Sequence, residues 1–151
     1  MTDAELDEAR RVLMRRDPVL GALIKRVGPC GLTEGRGEDA FTSLARVIAS
    51  QQLSTAAANT IFSRVAALAG GEERLTAARL LRLDPDALRA AGLSRAKVAF
   101  LRDLAERSSD GRLDLPSLDG RTDVEVAQAI MEVKGLGRWS ADMFLMFKLV
   151  R

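Results

Sequence analysis

The chain contains no histidine and no tyrosine, and only one cysteine and one tryptophan among 151 residues. Without histidine there is no Ser-His-Asp triad and no His-based zinc site, because the commonest acid–base group and metal ligand is missing. Cys30 alone makes neither an internal disulfide nor a cysteine-rich metal centre. Aromatics are only 4% of the residues, which disfavours sheets and leaves an alanine- and leucine-rich, helix-prone composition. No apolar run approaches the roughly 18 residues of a membrane span. The opening MTDAELDEARR is acidic and polar, unlike a signal peptide. Net charge is only +2, from 23 basic and 21 acidic residues, so a nucleic-acid surface would have to arise from clustering. These limits describe a soluble, intracellular helical protein of one domain, long enough to bury a core.

Periodicity and turn residues divide the chain into helices. Asp3 can cap a first helix to about Arg15 with Leu6, Ala9, Val12 and Leu13 on one face, and Asp17-Pro18 restarts a helix through Val27. Gly28-Pro29-Cys30-Gly31 breaks it, and LTEGRGE continues as loop. A helix from Glu38 carries Phe41, Leu44, Ala45, Val47 and Ile48 and ends near Ser50. Ser54 caps the next, to Leu68, which Gly70-Gly71 stops. Short helices at 76–82 and 84–90 precede a longer one, Arg95 to Arg107, and Ser108 to Gly120 reads as loop. Thr122 caps a helix to about Met131, and the final helix starts near Arg138. No stretch alternates as a strand, so the expected class is all-α.

Between the last two helices lies VKGLGRWSA, residues 133–141, with glycines at 135 and 137. Glycine reaches positive φ and lets another backbone approach, and a helix start offers unpaired N–H groups and partial positive charge. A phosphate seat flanked by Lys134 and Arg138 is one reading of this hairpin, and an ordinary helix connection with a glycine cap is the other.

The segment VKGLGRWSADMFLMF resembles the helix–hairpin–helix of the DNA glycosylase superfamily that pairs this hairpin with a Gly/Pro-rich loop and a catalytic aspartate. DAFTSLARVIASQQLS and LDPDALRAAGLSRAKVAFLRDLA, with the DPVLGALIKRVGP entry, are similar in the same order to 3-methyladenine glycosylases of the AlkA/Mag type. The resemblance implies an all-α helix–hairpin–helix glycosylase domain over 1–151, with the hairpin at 131–141 and no N-terminal β domain. It implies base excision repair of double-stranded DNA carrying alkylated purines: a monofunctional enzyme flips the damaged nucleotide and hydrolyses its N-glycosidic bond. DNA contacts fall by position on Lys134, Gly135, Gly137, Arg138, Ser140, Gln52 and Leu53, and the base pocket on Trp139, Met143 and Gln51. Carbonyls of Met131, Val133 and Leu136 would hold Na+ or K+ at the hairpin, and no organic cofactor is implied. Trp139 replaces the Schiff-base lysine of the strand-cleaving members, and Met143 an aromatic pocket residue.

Arg95 and Lys97 could touch the phosphate backbone, while Arg79, Arg82 and Arg89 read as a solvated face. The family's aspartate follows the second hairpin helix, and MFLMFKLVR contains nothing that would end that helix before Arg151. The expectation is a chain truncated ahead of its catalytic residue and inactive by itself, with Asp142 serving helix-start electrostatics. A complete enzyme would be monomeric, and either cytoplasmic beside a bacterial nucleoid or nuclear. A non-catalytic DNA-binding module and a protein–protein scaffold stand as alternatives. Replacing Gly135 and Gly137 together by alanine is expected to weaken DNA binding with the fold retained.

Overall fold

The computed structural model describes residues 2–31, 37–72 and 75–151. Nine α-helices occur among them: α1 (Asp3–Arg16), α2 (Pro18–Val27), α3 (Ala40–Ser50), α4 (Thr55–Leu68), α5 (Ala77–Arg82), α6 (Pro85–Ala90), α7 (Arg95–Ser109), α8 (Asp123–Met131) and α9 (Arg138–Phe147). No strand occurs among the described residues. The expected loop at 32–36 lies outside them.

Small polar residues set the helix starts by accepting first-turn N–H groups: Asp17, Asp39, Ser54, Thr76, Asp84, Ser94 and Thr122. Three expectations need correction. The first helix is capped by Thr2, whose hydroxyl and the Glu5 carboxylate form a reciprocal capping box, and Asp3 is already helical. The loop expected at 108–120 winds into a 3-10 segment at Leu115–Gly120, with Leu115 and Leu118 buried. The last helix ends within the chain, at Phe147. There Val150 takes φ 56° and the Arg151 N–H returns to the Leu145 carbonyl at 3.0 Å, closing the end without glycine or proline. The Arg151 guanidinium also donates to the Arg121 carbonyl at 2.6 Å, a tertiary contact invisible in the local pattern.

The core joins α3 through α9: Leu44, Ile48, Phe62, Leu101, Leu104, Ile130 and Phe144 are almost fully enclosed. α3 packs on α4 and α7, α5 on α7, and α8 on α9. α1 and α2 pack on each other, and their apolar residues Leu13, Leu20, Leu23 and Val27 stay exposed. Arg79, expected on a solvated face, is exposed, and its guanidinium also donates to the Ala69 carbonyl at the end of α4, at 2.7 Å.

Candidate nucleic-acid interface

The hairpin between α8 and α9 is held by its apolar residues. Val133 and Leu136 are buried, which turns Lys134, Gly135 and Gly137 outward. Two further groups hold it from α7 and α3: the Asp103 carboxylate accepts the Lys134 backbone N–H at 2.9 Å, and the Gln51 amide donates to the Gly135 carbonyl at 2.7 Å.

The two glycines have different causes. Gly135 sits at φ 81°, and a Cβ there would overlap the Phe100 ring. The fold itself demands this glycine, so its replacement by alanine is not neutral for the fold, contrary to the expectation for the paired substitution. Gly137 has φ −107° and ψ −175°, ordinary extended backbone, and nothing lies within 4 Å of a Cβ built on it. Internal packing therefore makes no demand for glycine at 137.

Gly137 is also the N-cap of α9. The other eight described helices begin with a side-chain cap, and α9 does not. Its first-turn amides, including those of Trp139 and Ser140, face the open Gly137 end without a side-chain acceptor. Macrodipole and unmatched donors together leave this terminus chemically open to an anion. Ser140, expected among the DNA contacts, is buried as a residue. Lys134 is 70% exposed with its ammonium 3.7 Å from Asp103, and Arg138 is 72% exposed with Nε 2.8 Å from the Asp142 carboxylate. Asp142 thus offsets the charge of Arg138 rather than standing free.

Trp139, in the first turn of α9 and 69% exposed, lies between two cavities. One, an open cleft of about 360 Å³, is bordered by α3, α4 and α9 and lined by Val47, Trp139, Met143, Phe144 and Phe147. Its charged wall comes from Glu38, Arg46 and Lys148. Arg46 lies 4.0 Å over the Phe62 ring, 2.8 Å from Glu38 and 3.1 Å from Glu72, while Lys148 donates to the Glu38 carbonyl. Glu38 and Arg46 were not singled out in the sequence, and nothing local to them signals the pairing. The other cavity, about 590 Å³, lies by the turn after α3 and is lined by Gln51, Gln52, Lys97, Phe100 and Trp139. Gln51, expected in the base pocket, lines this second cavity and not the one holding Met143.

Gln52 and Leu53 are exposed on that turn, and Gln52 has φ 56°. Lys97 is not directed at solvent: its ammonium donates to the Ala49 carbonyl at 2.8 Å and the Gln51 carbonyl at 2.7 Å. Burial pushes its pKa down. Arg95 remains exposed at the start of α7. For Asp103 burial favours the neutral acid, but hydrogen bonds from the Lys134 N–H and Arg107, with both charges, hold its pKa below the ordinary value. Among the described residues no cluster of three His, Cys, Asp or Glu could hold a metal, and no helix is long and apolar enough to cross a membrane.

Residues 45–145 match the HhH-GPD superfamily of base excision DNA repair proteins, and the chain belongs to that superfamily. An alkylbase DNA glycosidase-like protein, mag2, of Schizosaccharomyces pombe is 27% identical over 99% of this chain and 71% of its own length. The DNA-3-methyladenine glycosylase of Saccharomyces cerevisiae is 38% identical over 76% of this chain and 41% of its own. Among solved structures, a Bacillus halodurans DNA-3-methyladenine glycosidase superposes with a TM-score of 0.78 at 34% identity, over 95% of this chain and 64% of that one. The S. pombe 3-methyladenine DNA glycosylase Mag1, in complex with abasic DNA, gives 0.80 at 29% identity, over 95% and 71%. The chain spans about half the length, or less, of three of its curated relatives.

Proposed function

We propose that this member of the HhH-GPD superfamily engages double-stranded DNA carrying alkylated bases and serves base excision repair as a monomeric, monofunctional glycosylase of the 3-methyladenine type. One observation carries the reading: the uncapped start of α9, open at Gly137, also presents Trp139 to a cavity of about 360 Å³. A phosphate on the first-turn amides would bring the adjoining nucleotide to Trp139. A base extruded from the duplex is stacked on an electron-rich indole there, which suits the positive charge of an N-alkylated purine. Such a base is already a good leaving group: the C1′–N bond breaks with its electron pair going to the base, and water adds at C1′ and gives up a proton to solvent.

The chemistry is hydrolytic because an amine for Schiff-base formation is not free at this wall. Lys148 is bonded to the Glu38 carbonyl, and the first-turn position of α9 carries Trp139. The nearby carboxylates are engaged as well, Glu38 by Arg46 and Asp142 by Arg138, each at 2.8 Å. That pairing favours a second reading, a DNA-binding module without its own hydrolytic carboxylate.

The carbonyls of Met131, Val133 and Leu136 fit Na+ or K+ by chemistry, being neutral hard oxygens at the end of α8 and in the turn that follows it. The Val133 carbonyl accepts the Leu136 N–H at 3.1 Å and keeps a second lone pair. A cation there would add positive charge beside the phosphate seat. No organic cofactor enters this scheme, and work on DNA calls for a protein in the bacterial cytoplasm beside the nucleoid or, in a eukaryote, in the nucleus.

The test is release of free 3-methyladenine and 7-methylguanine from methylated duplex DNA, read together with duplex binding. Binding with release assigns the glycosylase, and binding without release assigns the DNA-binding module. A chain that does neither contradicts both readings.

A further inference from the structure

The turn that follows α3 has a shape its sequence does not favour. Ser50 to Leu53 form a four-residue turn closed by the Leu53 N–H on the Ser50 carbonyl at 3.2 Å. Its central residues are Gln51, at φ −50° and ψ 131°, and Gln52, at φ 56°. Those angles define a type II turn, whose third position is normally glycine or asparagine because φ is positive there. Glutamine in that conformation is strained. In return the turn presents an exposed amide side chain at its tip.

A type II turn differs from the commoner type I in the orientation of its central peptide. Here that peptide's oxygen is the Gln51 carbonyl, and the Lys97 ammonium holds it at 2.7 Å while also bonding the Ala49 carbonyl at 2.8 Å. A cation at the end of α3 is favoured by the helix dipole and supplies donors to carbonyls that the helix leaves unmatched. The Gln51 side chain continues the connection, donating to the Gly135 carbonyl of the hairpin at 2.7 Å. On the far side Phe100 abuts Gly135, and Asp103 binds the Lys134 N–H at 2.9 Å. Lys97, Phe100 and Asp103 follow one another at three-residue spacing along α7, so a single helix face fixes both the turn and the hairpin.

We propose that Lys97 is a positioning residue: its ammonium locks the central peptide of the 50–53 turn so that Gln52 points into the DNA stack, and Gln51 couples that turn to the phosphate seat. The inference rests on the DNA reading above and adds to it a residue that acts through backbone carbonyls rather than on phosphate. Without the lock the central peptide relaxes toward type I, Gln52 leaves positive φ, and its side chain swings away from the base it would replace.

The test uses the full chain with a duplex carrying 2-aminopurine beside an alkylated or mismatched base, whose fluorescence rises on unstacking. Lys97→Met, which keeps the length of the side chain without its charge, is expected to lose the fluorescence rise while retaining duplex affinity and its salt dependence. Lys97→Cys in a Cys30→Ser background, treated with 2-bromoethylamine to rebuild an ammonium at the same reach, restores the rise. A Lys97→Met protein with an undiminished rise overturns the proposal, as does failure of the rebuilt ammonium to rescue. A salt slope shallower by about 0.9 would make Lys97 a phosphate contact and overturn it too. If the unsubstituted chain binds the duplex with no rise, both this inference and base extrusion fail. If it does not bind DNA at all, the functional reading fails first and takes the inference with it.

Discussion

The Asp103 carboxylate accepts the backbone N–H of Lys134 at 2.9 Å, across 31 residues of sequence, and so ties α7 to the first exposed residue of the hairpin. The same oxygen accepts from Arg107 Nε at 3.1 Å, and the residue is only 7% exposed. An amide in its place keeps one accepting oxygen but loses the negative charge that Arg107 and the Lys134 ammonium face. Asp103→Asn is therefore expected to cost about 1–3 kcal/mol at neutral pH, measured by urea unfolding. The pH dependence follows from the lowered pKa of this acid. A depressed carboxylate adds stability that is present above its unfolded value, about 3.9, and is lost as pH falls through the lower folded value. The gap between the two proteins should hold from neutrality to about pH 4 and close below it. A gap that instead widens in acid would show that the carboxylate is not held charged by the hairpin.

Gly135 and Gly137 separate fold from binding. Gly135→Ala forces a Cβ into the Phe100 ring at φ 81°, and its thermal midpoint should fall together with any affinity for DNA. Gly137→Ala adds a methyl into open space at ordinary φ and gives up only the N-cap preference of glycine over alanine, so its midpoint should fall far less than that of Gly135→Ala while duplex affinity drops about tenfold. Unchanged affinity for Gly137→Ala would remove the α9 terminus from the phosphate contact.

The exposed pair Arg138–Asp142 makes opposite predictions for its two members. Arg138→Gln should weaken duplex binding and reduce the salt slope by about 0.9 if the arginine neutralises one phosphate. Asp142→Asn removes the competing carboxylate, and binding should tighten with a slope that does not fall. Fluorescence anisotropy titrations at three or more salt concentrations read both, and a loss of affinity in Asp142→Asn would contradict the assigned role.

Gln52→Gly relieves the positive φ while deleting the displayed amide. Stability should stay level or rise by up to about 1 kcal/mol, because the strain relieved is partly offset by the greater freedom of glycine in the unfolded chain. The 2-aminopurine response should disappear in the same protein. A destabilised Gln52→Gly chain would mean that the side chain is part of the packing.

Much of the helical plan is legible because it is local. Asp17-Pro18, Ser54, Asp84-Pro85 and Thr122 mark helix starts by chemistry that acts over two or three residues. The end of α9 was not legible, since Val150 at positive φ and the Arg151 contacts to Arg121 and Asp123 stop it without a breaker residue. Lys97 illustrates the same limit at the site. Its position after Ser94 suggests an exposed first-turn cation, whereas its partners, on α3 and in the turn after it, are 48 and 46 residues away. Gln51 and Gly135 are 84 residues apart, and only the packing of α3 and α7 around the hairpin brings them together. Glu38 and Arg46 likewise acquire a shared role only when α3 and α9 border the cavity.

The most direct measurement is the affinity of the chain for a duplex with a stable abasic-site analogue, set against an intact duplex of the same sequence over a range of salt. A seat for phosphate beside a cavity for an extruded nucleotide predicts tighter binding of the abasic duplex, and log affinity falling linearly with log salt for both. Equal affinity for the two duplexes, or affinity indifferent to salt, would contradict the account.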